Sequence, residues 1–295
     1  MTDSLSIILP AKNESQSLST ILPEIVKSFS NAEIIVVDDG STDDTKEICQ
    51  ENKVKVISHP YTMGNGAAIK TGARAARGEI IVFMDADGQH HHQDIPALLE
   101  KMDEGFDMVV GARSVDSHSS LIRRIGNFTY NKLASLMTGF NILDLTSGFR
   151  AVRARHFRKF LYLLPNGFSY PTTSTMAFFR SGLAVAYVPI QSGVRKGDSH
   201  ISLLKDGIRF FVIIMKVGAL FSPMRLFFPV STLLFMTGLG YYCYTYFSDG
   251  RFTNMSALLF TSSIITFLIG LVSEQVSSLH YKGIEENQRR TERES

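Results

Sequence analysis

The chain has 295 residues, a formal net charge of +2 and 44% hydrophobic residues. That length can hold one α/β domain of about 200 residues plus an appendage. The near-neutral charge and the lack of arginine-rich tracts argue against a nucleic-acid partner. Cys49 and Cys243 form no CxxC metal pattern, and a disulfide between them is not expected because they fall in a predicted soluble helix and a predicted membrane segment.

Two short apolar segments near the start of the chain each run into polar residues. Leu5–Pro10 is followed by the sequence AKNE, and Glu33–Asp38 is followed by DGSTD. Continuous runs rich in β-branched residues are typical of buried parallel strands, and open α/β sheets bind their ligands where such strands end. Taken alone, the second junction also fits an ordinary strand–turn–helix connection in which Ser41 or Thr42 caps the helix.

A glycine-containing loop follows these strands. Gly64-Asn65-Gly66 precedes a helix predicted from Ala67 to Arg77, which we expect to pack structurally. Glycines at the start of a helix can cradle a phosphate. The spacing here is not that of a Walker loop, and a GxG pattern alone is a weak signal.

A further strand carries the most informative motif. The apolar run from Glu79 to Met84 ends in the sequence Asp85-Ala86-Asp87-Gly88-Gln89. Carboxylates spaced i and i+2 at a strand end can point at one divalent cation, and such an oxygen-rich site suits Mg²⁺ or Mn²⁺ with a substrate diphosphate completing the coordination. An isolated DxD is more often a turn, but its place after a buried strand favours the metal site. The adjoining His90-His91-His92 could also bind metal, although a polar turn is the commoner use of such a run.

Several motifs together resemble a known family. In chain order they read PAKNE at 10–14, VDDGS at 37–41, GNG at 64–66 and DAD at 85–87. This set resembles family 2 glycosyltransferases of the GT-A fold. The sequence DLTSGFR at 144–150 narrows the resemblance to the subgroup that makes polyprenyl-phosphate sugars, typified by dolichol-phosphate mannose synthase.

The resemblance, which covers roughly residues 4 to 205, implies a fold and a set of ligands. The fold would be α/β, a Rossmann-like and mostly parallel sheet with helices on both faces. The ligands would be a GDP- or UDP-linked sugar, a divalent metal (Mg²⁺ or Mn²⁺) and a dolichyl or undecaprenyl phosphate.

The resemblance also implies roles for individual residues. Asp85 and Asp87 would engage the metal and the diphosphate, with Gln89 as a third metal ligand, and Asp39 with Asp38 would contact the nucleoside. The residues expected to bind the donor are Pro10, Asn13, Glu14, Asp38, Asp39, Gly66, Asp85, Ala86, Asp87 and Gln89.

The acceptor side calls for cations. A lipid phosphate is already anionic near neutral pH, so it needs no general base to act as a nucleophile, but it must be held beside another anion. Arginine suits this task through its planar fork. Any lone arginine is more often a solvated surface residue, and Arg150 could instead form a structural salt bridge to Asp144. The expected acceptor-phosphate residues are Arg113, Arg124, Ser147, Arg150 and Lys196, and the expected catalytic residues are Asp87, Arg113, Arg150 and Arg195.

Two segments depart from the family pattern. Between Asn166 and Met176 hydroxyl side chains stand where many relatives carry a glutamate, so mannose is less well supported than the reaction class. The segment Pro10–Asn13 differs from the frequent Pro-x-Tyr-Asn, which leaves the contact to the nucleobase open.

The composition changes after Ile201. The uncharged runs 226–247 and 255–272 are long enough, the second only just, to cross a bilayer; the alternative is a buried hairpin of a soluble core. Basic residues precede the first run and follow the second, whereas the turn between the runs carries only Arg251. The positive-inside rule therefore predicts that both termini face the cytosol. No signal peptide is visible. The flanking basic residues are Arg209, Lys216, Arg225, Lys282, Arg289, Arg290 and Arg293.

Two amphipathic segments are predicted to lie at the membrane interface. They are 202–221 and 121–140, and an ordinary core-packing helix is an equal alternative for the second. The predicted organisation is a cytosolic glycosyltransferase domain, an interfacial helix, two transmembrane helices and a charged cytosolic tail, which span 1–201, 202–225, 226–279 and 280–295.

The expected reaction is a metal-dependent, inverting transfer of a hexose to a polyprenyl phosphate, giving a β-linked product. A processive polysaccharide synthase is disfavoured because its QxxRW motif needs a tryptophan and the chain has none. A membrane-anchored transferase acting on a glycan or lipid hydroxyl, and a non-catalytic scaffold that binds nucleotide or lipid, remain as alternatives. Homo-oligomerisation is also left open.

Overall fold

The computed structural model describes residues 4–113, 121–167, 169–190 and 221–294, together with positions 212, 215, 216, 218 and 219; over 121–127 and 280–294 it describes the backbone alone. Contacts divide the chain into two units. The first comprises residues 1–135 and 140–206, and the second comprises 136–139 and 207–295.

The first unit is built on a seven-stranded sheet in the order β3-β2-β1-β4-β6-β5-β7. β6 runs antiparallel to β4 and β5, and the other neighbours are parallel. The strands are β1 (Leu5–Ala11), β2 (Glu33–Asp38), β3 (Lys55–Ser58), β4 (Ile80–Phe83), β5 (Met108–Arg113), β6 (Arg150–Arg153) and β7 (Val185–Ile190). The helices are α1 (Ser15–Ser28), α2 (Thr45–Glu51), α3 (Asn65–Ala75), α4 (Ile95–Asp103), α5 (Leu121–Thr138), α6 (Ala154–Lys159) and α7 (Tyr170–Arg180).

Helices cover both faces of the sheet because the central strands are apolar on both sides. Ile7 and Leu9 of β1 belong to the buried cluster that contains Leu18 of α1 and Leu98 of α4. The intervening Ile8 points the other way, since its side chain would lie 2.5 Å from a Cβ added at Gly72 of α3. Each fully buried aliphatic side chain contributes about 1.5–3 kcal/mol. The predicted mostly parallel sheet with helices on both faces is confirmed.

The topology concentrates polar chain segments at one edge of the sheet. From β1 the chain adds β2 and β3 on one side and then places β4 on the other side, so the carboxyl ends of β1 and β4 flank a switch point, where α/β sheets bind ligands. Because β6 is antiparallel, its first residue, Arg150, pairs with Phe83 at the end of β4. The segment before β6 therefore lies at the same edge.

The second unit contains two long apolar helices, α8 (Pro223–Asp249) and α9 (Asn254–Glu294). By length and composition, α8 and the part of α9 from Asn254 to Leu279 could cross a membrane, and few of their side chains are buried. Ser231 Oγ donates to the carbonyl of Ser263 at 3.1 Å, and Ser263 Oγ donates back to the carbonyl of Ser231 at 2.9 Å. The predicted C-terminal pair of apolar helices is confirmed. The predicted interfacial segment 202–221 lies almost wholly outside the described residues.

Candidate active site

The loops that follow β1 and β2 are tied to each other. Asn13, whose φ is +55°, accepts the Thr42 amide hydrogen at Oδ1 over 2.8 Å and donates its own amide to Ser41 Oγ over 2.9 Å. Asp43 accepts the amide of Ser15, at the start of α1, over 3.0 Å. The predicted capping of the next helix by Ser41 or Thr42 is therefore wrong: both face the first loop, and α2 begins only at Thr45.

Asp39 is buried beneath these loops. Its carboxylate accepts the amides of Met63 and Gly64, each over 2.8 Å, and lies 2.7 Å from His59 Nδ1. Burial alone would raise the pKa of Asp39, but the hydrogen bonds from His59, Met63 and Gly64 outweigh it and hold the pKa below its ordinary value. With 4% of its surface exposed, Asp39 holds the loop before α3 in place, and the nucleoside contact expected from the sequence stays a prediction. Asp38 is also buried and accepts the Ser41 amide.

The glycine loop at 64–66 packs against protein backbone. A Cβ added at Gly66 would lie 2.0 Å from the carbonyl oxygen of Pro165, and one at Gly64 would lie 2.5 Å from that of Asn166. The amide of Ala67 donates to the same Asn166 carbonyl over 2.9 Å. Backbone of the chain itself thus occupies this part of the N-terminus of α3, and the donor contact expected at Gly66 stays a prediction.

The carboxylates of the DxD sequence lie beyond the end of β4 and are partly exposed. Asp87 Oδ1 accepts the Gln89 amide over 3.1 Å, across a turn in which Gly88 has a φ of +75°. Behind Asp85 lies His90, whose Nδ1 accepts the Asp85 amide over 3.4 Å. Burial lowers the pKa of His90 to about 4 in spite of the nearby Asp87, so the ring is neutral and can act as an acceptor.

The surroundings of Asp85 fit a divalent cation. A Cβ added at Gly148 would lie 2.6 Å from Asp85 Oδ2, so only a glycine leaves room for the carboxylate. Among the described residues no group of three or more His, Cys, Asp or Glu side chains converges. Two carboxylates are sufficient for Mg²⁺ or Mn²⁺ when substrate phosphates and water supply the other ligands, so Asp85 and Asp87 could hold such an ion, with Gln89 beside them.

Arg113, at the end of β5, interacts electrostatically with these carboxylates. Its Nε and Nη2 donate to the two oxygens of Asp144 over 2.8 and 3.1 Å, and Nη2 also donates to Thr146 Oγ1 over 2.6 Å. Burial alone would lower the pKa of Arg113; Asp144 first, and then Asp85 and Asp87, raise it above its ordinary value. The guanidinium is thus fixed by Asp144 within the field of the DxD carboxylates.

Arg150 is fully buried and bonded to other parts of the protein, and its expected contact with an acceptor phosphate stays a prediction. Its Nη1 donates to the carbonyl of Pro171 over 3.0 Å and to Ser174 Oγ and Thr175 Oγ1 over 2.9 and 3.1 Å, and its Nη2 donates to the carbonyl of Ser147. Burial lowers the pKa of Arg150. The ion pairs of the described residues include none between Arg150 and Asp144, so the salt-bridge alternative does not apply.

The remaining predicted residues divide between the edge of the sheet and the parts not described. Pro10 pairs with Val37 within the sheet, the amide of Glu14 donates to Thr45 Oγ1 over 3.2 Å, and Ala86 is buried. Ser147 is buried, and its hydroxyl has no partner among the described residues. The side chain of Arg124, on α5, and the whole of Arg195 and Lys196 lie outside the described residues.

The sequence did not predict the roles of three residues at this site. His90 supports Asp85, Asp144 holds Arg113 rather than Arg150, and the hydroxyl of Tyr170 donates to the carbonyl of Gly148 over 2.9 Å. His90 stands in a polar run and Tyr170 in a hydroxyl-rich one, so neither carries a sequence signal for its role. Asp144 could have been found, because an acid that opens a loop next to a predicted phosphate-binding arginine is a natural partner for it.

Comparisons with known proteins place this geometry in context. Residues 6–161 match the family described as Glycosyl transferase family 2, and residues 222–279 match the family described as GtrB C-terminal hairpin. The chain is 27% identical over 217 residues to a dolichyl-phosphate hexose transferase of Haloferax volcanii, covering 73% of this chain and 94% of the relative. It is 30% identical over 199 residues to a polyprenol monophosphomannose synthase of Mycolicibacterium smegmatis, covering 62% and 75%.

A solved structure agrees with the fold. The glucosyl-3-phosphoglycerate synthase of Mycobacterium tuberculosis in complex with Mn²⁺ and UDP-glucose is similar with a TM-score of 0.61 and 22% identity, covering 73% of this chain and 79% of that chain. The likeness confirms the predicted GT-A fold. Because the family match spans more than half of the residues, this protein belongs to the Glycosyl transferase family 2.

Proposed function

We propose that this protein transfers a hexose from a nucleotide-diphosphate sugar to a polyprenyl phosphate, with inversion at the sugar carbon. The observation that carries the proposal is the pair of carboxylates, Asp85 and Asp87, at the ligand-binding edge of the sheet and in the field of the fixed guanidinium of Arg113. The polyprenyl acceptor is supported by the names of the two relatives, which act on dolichyl and polyprenol phosphates.

On the donor side, Asp85 and Asp87 would hold Mg²⁺ or Mn²⁺ together with the donor diphosphate, and Gln89 lies beside them. When bound, the ion would neutralise the charge that develops on the departing diphosphate. The Mn²⁺ and UDP-glucose of the structural neighbour support this class of ligand. The nucleoside would bind beside the loops after β1 and β2, which the bond from the Asn13 amide to Ser41 Oγ ties together.

On the acceptor side, Arg113 would orient the lipid phosphate. Asp144 holds its Nε and Nη2, so the guanidinium has a fixed direction before substrate arrives. Arg124, Arg195 and Lys196 are proposed as further cations. The phosphate oxygen would attack the sugar in line, without a covalent enzyme intermediate, which gives a single inversion and a β-linked product.

The second unit would anchor the protein in the lipid bilayer with both termini and the catalytic domain on the cytosolic side. The distribution of basic residues around the two apolar helices supports this orientation. Exposed apolar side chains on α5, such as Phe128 with 66% of its surface exposed, support membrane contact by that helix. The orientation is tested with single cysteines introduced near position 2 or 252 in a Cys243→Ser background. They are labelled with a membrane-impermeant maleimide in inside-out and right-side-out vesicles. Labelling of position 252 from the cytosolic side would contradict the orientation.

The function is tested by supplying full-length protein in detergent with a panel of radiolabelled UDP- and GDP-sugars and either a polyprenyl phosphate or the matching polyprenol. The proposal predicts a labelled lipid with one donor, only when the phosphate is present. Transfer to the polyprenol instead would indicate a hydroxyl acceptor. No transfer with any donor would contradict the proposal.

A further inference from the structure

The carboxylate of Asp85 rests directly against the backbone of Gly148. A Cβ added at Gly148 would lie 2.6 Å from Oδ2 and 3.1 Å from both Cγ and Oδ1 of Asp85. The 2.6 Å distance is shorter than real Cβ contacts, so the position of the Gly148 backbone limits where the carboxylate can lie. Asp85 follows the end of β4, whereas Gly148 belongs to the segment that leads into β6.

The backbone around Gly148 is held from inside the protein. The Tyr170 hydroxyl donates to the carbonyl of Gly148 over 2.9 Å, and Arg150 Nη2 donates to the carbonyl of Ser147. Tyr170 and Arg150 also lie against each other, with the guanidinium carbon 5.6 Å from the ring centroid. Buried donors thus bind the consecutive carbonyls of Ser147 and Gly148. These two bonds fix the orientation of the backbone that faces Asp85.

We propose that Tyr170 is a positioning residue for the metal-binding carboxylate, acting through Gly148; this inference rests on the proposed function, in which Asp85 holds a divalent cation. In the described structure the Tyr170 hydroxyl donates to the Gly148 carbonyl and not to a carboxylate of the DxD sequence. Its hydroxyl sets the Gly148 peptide, and that peptide forms one wall of the space in which Asp85 lies. On the other side of Asp85, His90 holds the Asp85 amide.

The chemistry of the contact distinguishes this role from simple packing. The Tyr170 ring already packs edge-on against Phe83, with centroids 6.1 Å apart, and a phenylalanine would keep that contact. Among the described residues, what the hydroxyl adds to this packing is the hydrogen bond to Gly148. Groups that orient metal ligands in this indirect way typically change metal affinity or activity by about 10–100-fold when they are removed.

The test measures metal binding apart from turnover. Mn²⁺ is titrated into full-length protein in detergent with UDP or GDP present, and free Mn²⁺ is followed by electron paramagnetic resonance. Tyr170→Phe should weaken Mn²⁺ binding by about tenfold. The matched control is Tyr130→Phe, because Tyr130 is also buried and its hydroxyl is bonded to α7, at Thr172 Oγ1 over 2.9 Å, rather than to the Gly148 carbonyl that Tyr170 holds. It should keep Mn²⁺ affinity within about twofold.

The outcomes separate this inference from the proposed function. Wild-type affinity in Tyr170→Phe, or an equal loss in both tyrosine variants, overturns the positioning role while leaving the proposed function intact. If wild-type protein binds no Mn²⁺, or if Asp87→Ala binds it as well as wild type, the proposed function fails and this inference fails with it. If Tyr170→Phe does not fold, Gly148→Ala replaces it: its methyl group must displace Asp85, so unchanged Mn²⁺ affinity would again overturn the inference.

Discussion

Replacing Arg150 by lysine tests whether this arginine stabilises the folded protein or binds the acceptor phosphate. Arg150 donates hydrogen bonds from two different guanidinium nitrogens. Nη1 donates to the Pro171 carbonyl, and Nη2 donates to the Ser147 carbonyl. A lysine ammonium donates from one point and cannot reach both sides. At least one buried carbonyl should lose its donor, which costs about 1–3 kcal/mol. In a domain of 150–250 residues each kcal/mol shifts the unfolding temperature by about 2–4 °C, so Arg150→Lys should lower it by roughly 2–12 °C.

Thermal unfolding of the full-length protein in detergent measures this directly, with donor binding and lipid transfer followed on the same samples. Arg74→Lys is the matched control, since Arg74 is exposed on α3 and should shift stability by less than about 0.5 kcal/mol. If Arg150→Lys keeps the wild-type unfolding temperature and donor affinity but transfers at least about tenfold more slowly, the guanidinium must reach the acceptor phosphate, and the role assigned from its burial is refuted.

Three further changes probe the supporting contacts. The fold lowers the pKa of Asp39, so its carboxylate should stabilise the protein fully above about pH 4 and lose this effect as the pH falls through the folded pKa. The difference in unfolding temperature between wild type and Asp39→Asn should therefore become smaller in acid. A difference that stays constant from pH 3 to 6 would contradict this expectation. Gly66→Ala should cost about 1–3 kcal/mol because its methyl meets the Pro165 carbonyl, whereas Gly167→Ala, with open space around it, should be nearly neutral in the same thermal assay. Asp144→Asn should lower the free energy of unfolding by about 3 kcal/mol, because the guanidinium of Arg113 loses its negatively charged partner. Strict additivity with Arg113→Gln in a double-mutant cycle would show that the two side chains do not interact.

The sheet and its ligand-binding edge could be predicted from the sequence because their signals are local. Continuous β-branched runs gave β1, β2 and β4, and the polar residues after each run marked the edge. The apolar helices of the second unit were equally visible from length and composition. Each of these features depends on residues that are neighbours in the chain, so no tertiary information was needed.

The roles of individual polar residues could not be predicted in the same way. Whether Arg150 points to solvent or into the protein depends on Pro171, Ser174 and Thr175, more than twenty residues away. Asp39 is likewise fixed by amides 24 and 25 residues further along the chain. A motif identifies which residue types stand at the edge, but the direction of each side chain is decided by distant backbone groups that need a partner.

The central claim is that the DxD carboxylates support metal-dependent transfer to a lipid phosphate. The most direct measurement is release of nucleoside diphosphate at saturating Mg²⁺ or Mn²⁺ by wild type, Asp87→Ala and Asp103→Ala. Asp103→Ala is the control, because it removes an exposed carboxylate at the end of α4. Wild type and Asp103→Ala should release it only when polyprenyl phosphate and metal are both present, and Asp87→Ala should lose at least about 99% of this activity, or roughly 2.7 kcal/mol of transition-state stabilisation. Undiminished, metal-independent release by Asp87→Ala would contradict the claim.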